Sequence, residues 1–229
     1  MAIELLNLYL NKPKTDHPKT NQPKNPYLCG RFYTMKEEGY IKYHSDWERD
    51  FIDLKKNEFE EMNYWRAKLI AKNWIGVYDD GIGFGNISRR GQGHEFYISG
   101  SATGGIPMLA TDDYALVNEY EILKNYLKCT GQTAASSESL SHAALYENSK
   151  STKVIIHIHD LKLWEKYKNV LPTTARQTSY GTPEMAYELQ RIQSQIKKES
   201  KVIVMGGHKE GIIAYGDTFE YVFKMLTML

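Results

Sequence analysis

Apolar residues recur along this chain with two spacings, and the change from one to the other marks out its elements. Between residues 55 and 73, Phe59, Met62, Trp65, Leu69 and Ile70 fall three or four apart. That spacing predicts an amphipathic helix with those side chains in the core. Residues 95–99 and 115–122 read as strands, 138–148 as a helix, 153–159 as a strand and 160–168 as a short helix. Residues 183–198 predict a further helix, with Pro183 near its start, Glu184 in its first turn and Lys197 and Lys198 in its last. Strands at 201–206 and 211–215 and a helix from Asp217 to about Leu226 complete the pattern. Strands interleaved with helices predict a sheet layered with helices. No internal repeat is visible. Folded structure is expected to begin near 39–43, with a glycine-rich loop at 80–88 after the short segment Trp74–Tyr78.

The segment from 11 to 27 breaks this pattern. It is rich in Pro, Lys and Asn and cannot bury much apolar surface. Residues 1–35 are therefore expected to form an extended arm, either a flexible tail or a segment that wraps a neighbouring subunit or shields an edge, and 36–229 a single domain. A chain of 229 residues is long enough for one sizeable core. A net charge of +1 argues against a nucleic-acid role, which needs a strongly basic face. No apolar run approaches the roughly 20 residues of a membrane helix, and the first residues lack the basic and apolar regions of a secretory signal. Cys29 and Cys129 show no CxxC spacing. They read as free thiols in a reducing compartment, so a cytoplasmic protein is expected. The 17 tyrosines suit core or subunit-interface positions.

The chemistry concentrates in Val154-Ile155-Ile156-His157-Ile158-His159-Asp160. Side chains alternate on a strand, so His157 and His159 emerge on one face, able to chelate a metal. A lone buried histidine is more often a hydrogen-bonded core residue; a His-x-His pair is harder to dismiss. His208 follows another apolar run and the glycines 206 and 207, which would let the chain turn tightly. Glu138 lies in Ser136-Ser137-Glu138-Ser139, a helix start with serines as cap candidates. Three imidazoles and a carboxylate suit a zinc-like ion with an exchangeable position. Taken singly, His208 is also a plausible loop residue and Glu138 a helix-dipole partner. His142 shares the helix face of Glu138, either orienting a ligand or packing the helix. Asp160 faces away from the two histidines if the strand continues. His17, His44 and His94 have no constellation around them. The glycines of Gly81-Ile82-Gly83-Phe84-Gly85 suit either a turn or backbone amides that approach an anion. Arg89 and Arg90 either add positive charge there or form a solvated surface.

Three blocks resemble the class II aldolase/adducin family. The first is Gly85-Asn86-Ile87-Ser88-Arg89 with Ile98-Ser99-Gly100-Ser101. The second is Ser136-Ser137-Glu138, then His142, Leu145, Tyr146 and His157-Ile158-His159. The third is Gly181-Thr182-Pro183-Glu184-Met185-Ala186, then Gly207-His208 and Tyr215-Gly216-Asp217-Thr218. They run in the family's order over roughly residues 75–225. The resemblance implies a three-layer α/β/α sandwich around a largely antiparallel mixed sheet. It implies a divalent cation (Zn2+, or Mn2+ or Co2+) held by His157, His159 and His208, with Glu138 as acid and base. It implies that Asn86, Ser101, Ser136 and Ser137 hold a substrate phosphate. The expected activity is a metal-dependent lyase, an aldolase making or breaking a C–C bond in a small sugar phosphate through a metal-stabilised enediolate. An epimerase or dehydratase on the same centre is the alternative, as is a non-catalytic adducin-like interaction module. Family members are commonly homotetramers.

The resemblance departs from its pattern in places. Gly100 and Ala102 stand where the family usually has Pro and Gly. The segment between His159 and Gly181 is short, and its tyrosines, Tyr167 and Tyr180, do not align with the family's proton donor. His208 is followed by Lys209-Glu210-Gly211 rather than directly by glycine, so Lys209 or Glu210 is a candidate to enter the site.

Overall fold

The computed structural model describes residues 39–196 and 201–229. The expected arm at 1–35, with His17 and Cys29, lies outside these residues, as do Lys197 and Lys198. In chain order the elements are β1 (His44–Glu48), α1 (Lys56–Ile70), β2 (Gly76–Val77), β3 (Gly83–Phe84), β4 (Asn86–Arg90), β5 (Phe96–Ser99), β6 (Tyr114–Glu121) and β7 (Tyr126–Thr130). They continue as α2 (Ser139–Asn148), β8 (Val154–His159), α3 (Leu161–Tyr167), α4 (Pro183–Gln195), β9 (Val202–Val204), β10 (Gly211–Gly216) and α5 (Phe219–Thr227).

Eight strands form one sheet in the order β1-β7-β6-β5-β4-β8-β10-β9. Among the described strands of this sheet, only the β1–β7 pairing is parallel. Period-two alternation sorts the core. Ile155 of β8, with Phe96, Ile98, Ala115 and Val117, packs against Leu140 and Ala144 of α2 and Met185, Leu189 and Ile192 of α4. Val154, Ile156 and Ile158, from the opposite face of β8, pack with Met62 and Leu69 of α1 and with Phe219, Val222 and Leu226 of α5. The expected α/β/α layering is present. Each face of the central strands is covered, so β8 reads as a nearly continuous apolar run.

Local chemistry sets the helix ends. Asp160 leaves the strand and caps α3, accepting from Leu163 N at 3.0 Å. It also accepts from the Trp74 indole at 3.0 Å. Thr182 and Thr218 cap α4 and α5, each a contribution of about 1 kcal/mol. Asn73 ends the α1 region in a left-handed conformation, φ 56°.

Two expectations are corrected here. The loop at 80–88 is instead a small hairpin, β2–β3, followed by β4, which pairs with both β5 and β8. Asn86, Ser88 and Arg89 have little intrinsic preference for a strand; a place between two strands, with covered faces, overrides that. Strands β1 and β7 are additions to the expected set. The alternation in Tyr126-Leu127-Lys128-Cys129-Thr130, with Leu127 and Cys129 buried, was their signal. Cys129 is a buried free thiol. Among the described residues, no helix is long and apolar enough to cross a membrane.

Candidate metal centre and adjoining cavity

Strand β8 runs in the middle of the sheet, between β4 and β10. His157 and His159 share its Ile155 face. The ladder with β10 places His159 opposite Gly211 and His157 opposite Ile213. His208 reaches the same point from the turn between β9 and β10. That turn depends on glycine for space rather than for an unusual φ. A Cβ on Gly207 would lie 1.8 Å from the Thr178 carbonyl oxygen, and one on Gly211 would lie 2.2 Å from the His208 ring. The backbone is thus pressed against its neighbours on both sides of His208.

The three rings converge through the same atom. The Nε2 of His159 lies 3.1 Å from that of His157 and 2.9 Å from that of His208. Ligand nitrogens at bonds of about 2.0–2.1 Å in a tetrahedral site stand roughly 3.3 Å apart; two of the three pairs are near that spacing, and all the ligand atoms lie within 4.8 Å of one another, so the group can hold one small cation. His157 Nδ1 donates to the Ile212 carbonyl at 3.2 Å, which leaves its Nε2 lone pair directed at the common point. All three are buried. Burial lowers His157 to about 4, partly countered by the bond to Ile212. It takes His159 and His208 well below the ordinary imidazole value, helped by the other rings of the triad and, at His208, by Lys42. Neutral imidazole is the form that binds metal.

Glu138 sits at the N-terminal end of α2 with one carboxylate oxygen 3.6 Å from His208 Nε2. The serines before it take a different part from the expected caps: Ser136 Oγ accepts from Glu138 N at 3.3 Å and from Asn86 Nδ2 at 3.2 Å. Asn86 Oδ1 is buried without a hydrogen-bond partner. A cavity of about 250 Å³ opens beside these groups and is bordered by Asn86, Ser101, Ser136, Ser137, Glu138 and His157. Residues of Gly81–Gly85 and Gly100–Gly104, with Gly39 and Tyr40, make up the rest of its lining. Ala102, where the resemblance would put glycine, has φ 60°.

The remaining candidates make other contacts. The hydrogen bond of His142 Nδ1 runs to Ser88 Oγ at 2.7 Å, and that hydroxyl meets Tyr146 at 2.8 Å. Arg89 pairs with Glu58 and Glu61, and Arg90 binds the carbonyls of Tyr146, Ser149 and Thr152. Both arginines are structural. Tyr167 bonds the Leu229 carbonyl. Tyr180 packs edge-on against His208, with ring centroids 4.7 Å apart, under the Lys42 ammonium at 4.1 Å. Lys209 is exposed, whereas Glu210 turns inward to Tyr78. Neither Tyr78 nor Lys42 stood out in the sequence. Each is polar at a position with no motif around it.

The sequence matches the family model of the Class II Aldolase and Adducin N-terminal domain over residues 78–229. No curated protein matches it by sequence. Among solved structures, an L-fuculose 1-phosphate aldolase superposes with a TM-score of 0.59 at 17% identity, over 76% of this chain and 82% of that one. YgbL of Klebsiella pneumoniae, described as a putative aldolase/epimerase/decarboxylase, gives 0.54 at 13% identity, over 74% and 83%. The N-terminal class II aldolase domain of a conserved protein from Thermoplasma acidophilum gives 0.50 at 12%, over 77% and 92%. At these identities the likeness is one of fold.

Proposed function

Since the chain belongs to the Class II Aldolase and Adducin N-terminal domain family, we propose that it is a divalent-metal-dependent lyase of the aldolase type, making or breaking a C–C bond in a small phosphorylated sugar. The observation that carries this reading is the convergence of three buried Nε2 atoms next to Glu138, beside a cavity that Glu138 and His157 border. In this reading His157, His159 and His208 hold the cation, zinc or a similar ion such as manganese or cobalt. When bound, that ion supplies Lewis-acid charge next to the substrate's oxygen atoms.

The protein groups then divide the work. Glu138 takes a proton from the substrate and returns it; its place beside the triad puts it within reach of a group bound there. Burial strengthens each charge interaction in the site. At the other side of the cavity, Asn86, Ser101, Ser136 and Ser137 hold the phosphate. Ser136 Oγ already accepts two hydrogen bonds, so its own proton is left to donate outward. The N-terminal end of α2 adds its amides. Among the described residues that border the cavity, the groups assigned to the anion are neutral donors and the helix end. The volume, about 250 Å³, suits a substrate smaller than the usual drug-sized ligand of roughly 300–1,000 Å³ pockets. The family resemblance, which implies a homotetramer, extends the reading to that assembly.

The test is elemental analysis of the purified protein, followed by retro-aldol assays on a panel of ketose phosphates with zinc, manganese and cobalt. Stoichiometric metal and aldehyde release from at least one phosphorylated substrate are expected. Metal binding with epimerised or dehydrated product instead would move the reaction to another class on the same centre. A protein that binds none of these ions at micromolar concentration would overturn the reading.

A further inference from the structure

His159 differs from His157 in what meets its second nitrogen. His157 Nδ1 finds a main-chain carbonyl within the sheet. His159 Nδ1 lies 2.8 Å from the hydroxyl of Tyr78, and that hydroxyl lies 2.8 Å from Glu210 Oε2. A tyrosine hydroxyl has one proton, and a carboxylate accepts without donating. With the tyrosine proton on the Glu210 bond, its oxygen lone pair faces His159, which must supply the other proton from Nδ1. That leaves the His159 Nε2 lone pair for the point where the three rings meet.

The two outer residues come from separate parts of the chain, each held in place. Tyr78 sits at the turn of the β2–β3 hairpin, closed by Tyr78 N to Ile82 O at 2.9 Å and Gly81 N to Tyr78 O at 2.8 Å. Its ring packs on Phe84, with centroids 4.5 Å apart, and Phe84 packs on His159 at 5.6 Å. Glu210 lies between His208 and β10, with φ 70°. That left-handed backbone disfavours any residue with a Cβ. A glycine would adopt it without cost, so a glutamate held there points to work done by its side chain. Its carbonyl also accepts from Asp160 N at 3.0 Å, tying the turn to the end of β8.

We propose that Tyr78 and Glu210 are positioning residues that hold His159 as the Nδ1–H tautomer, orienting its Nε2 for a divalent cation, and so couple the β2–β3 hairpin to the affinity of the centre. The inference rests on the metal reading above for its consequence, but the hydrogen-bond chain itself does not require an ion. Outer partners of a metal-bound histidine typically carry a 10–100-fold share of affinity.

The experiment measures zinc affinity by chelator competition, the thermal midpoint of the metal-free protein, and the His159 tautomer from long-range proton–nitrogen NMR spectra. Tyr78→Phe is expected to weaken zinc binding about 10–100-fold and to remove the Nδ1–H preference of His159. Glu210→Gln keeps an acceptor for the tyrosine proton and is expected to restore most of the affinity. Glu210→Gly removes the acceptor and the backbone strain together: the metal-free protein should melt no lower than wild type while zinc binding weakens. This opposite movement separates positioning from general destabilisation. Wild-type zinc affinity in both Tyr78→Phe and Glu210→Gly, or an Nε2–H tautomer in metal-free wild-type protein, would overturn the proposal. A wild-type protein that binds no divalent ion would instead sink the metal reading, and the tautomer measurement would still decide the chain.

Discussion

The two sides of the cavity are built differently. On the metal side, His157 and His159 belong to a strand hydrogen-bonded on both edges, and His208 stands on a turn packed against the Thr178 carbonyl. On the anion side, Asn86 opens β4, Ser101 sits next to a left-handed Ala102, and Ser136 and Ser137 precede α2. The first side is fixed by ladder geometry and dense packing. The second, apart from Asn86 at the start of β4, consists of loop residues that border open space. The difference teaches where variation is tolerated: a loop can exchange a residue and re-aim a donor, whereas a ligand on a central strand moves only if the sheet does. The departures from the family pattern follow this division. Gly100, Ala102 and Glu210 lie in connections, whereas the triad lies on or beside the sheet.

The largest effect should come from the metal side. His208→Ala removes one of three nitrogen ligands; a third of the roughly 10–16 kcal/mol of a structural zinc site corresponds to a loss of about 200-fold to several thousandfold in affinity. Metal content after dialysis reads this directly. Glu138→Gln should lower kcat by about 10²–10⁴ with metal content intact, and substantial retained turnover would remove Glu138 from its role.

Acid should act on the metal side next. In the folded, metal-free protein burial depresses the imidazoles, His157 from 6.5 to about 4. The unfolded chain therefore binds more protons at intermediate pH, and stability falls as pH drops through the window from about 6.5 to about 4. His157 alone contributes on the order of 3 kcal/mol across that window. Denaturant titrations of the metal-free protein at several pH values check the sign. A flat profile would mean that the rings are solvated.

The anion side should respond more weakly and in a different parameter. Ser136→Ala is expected to raise KM for a phosphorylated substrate by about 10–100-fold, the equivalent of one lost charge-assisted hydrogen bond of roughly 1.5–3 kcal/mol. Its zinc affinity should stay at the wild-type value; a loss of metal would erase the distinction between the two sides. Smallest of all, Ala102→Gly relieves a left-handed backbone at φ 60°. It should stabilise the protein by about 0.5–1 kcal/mol, a shift of a few degrees in Tm.

Much of this division is legible in the residues. The pattern of β8 shows both that the strand is buried and that its histidines share a face, because strand alternation is a local property. The 3.6-residue spacing of Met62 and Leu69, and the capping residues Asp160, Thr182 and Thr218, are local in the same sense. Strand β4 was not legible in this way. Asn86-Ile87-Ser88-Arg89-Arg90 is a strand because β5 and β8 flank it, and no local preference carries that information. The cavity's serines could be named only through the resemblance, and His142 shows the limit of spacing: its helix position matched Glu138, yet its ring turned to Ser88.

By itself, then, the sequence determined the periodicities, the caps and the set of groups with metal-binding chemistry, since each depends on residues a few positions apart. The tertiary structure alone decided that His157 and His208 each bring Nε2 to about 3 Å from that of His159, with the ligand atoms of all three within 4.8 Å of one another. It alone brought Tyr78 and Glu210, 132 positions apart, to one hydrogen bond. Such meetings depend on how the hairpin, the sheet and the turn before β10 close on each other, and no short stretch of chain contains that distance.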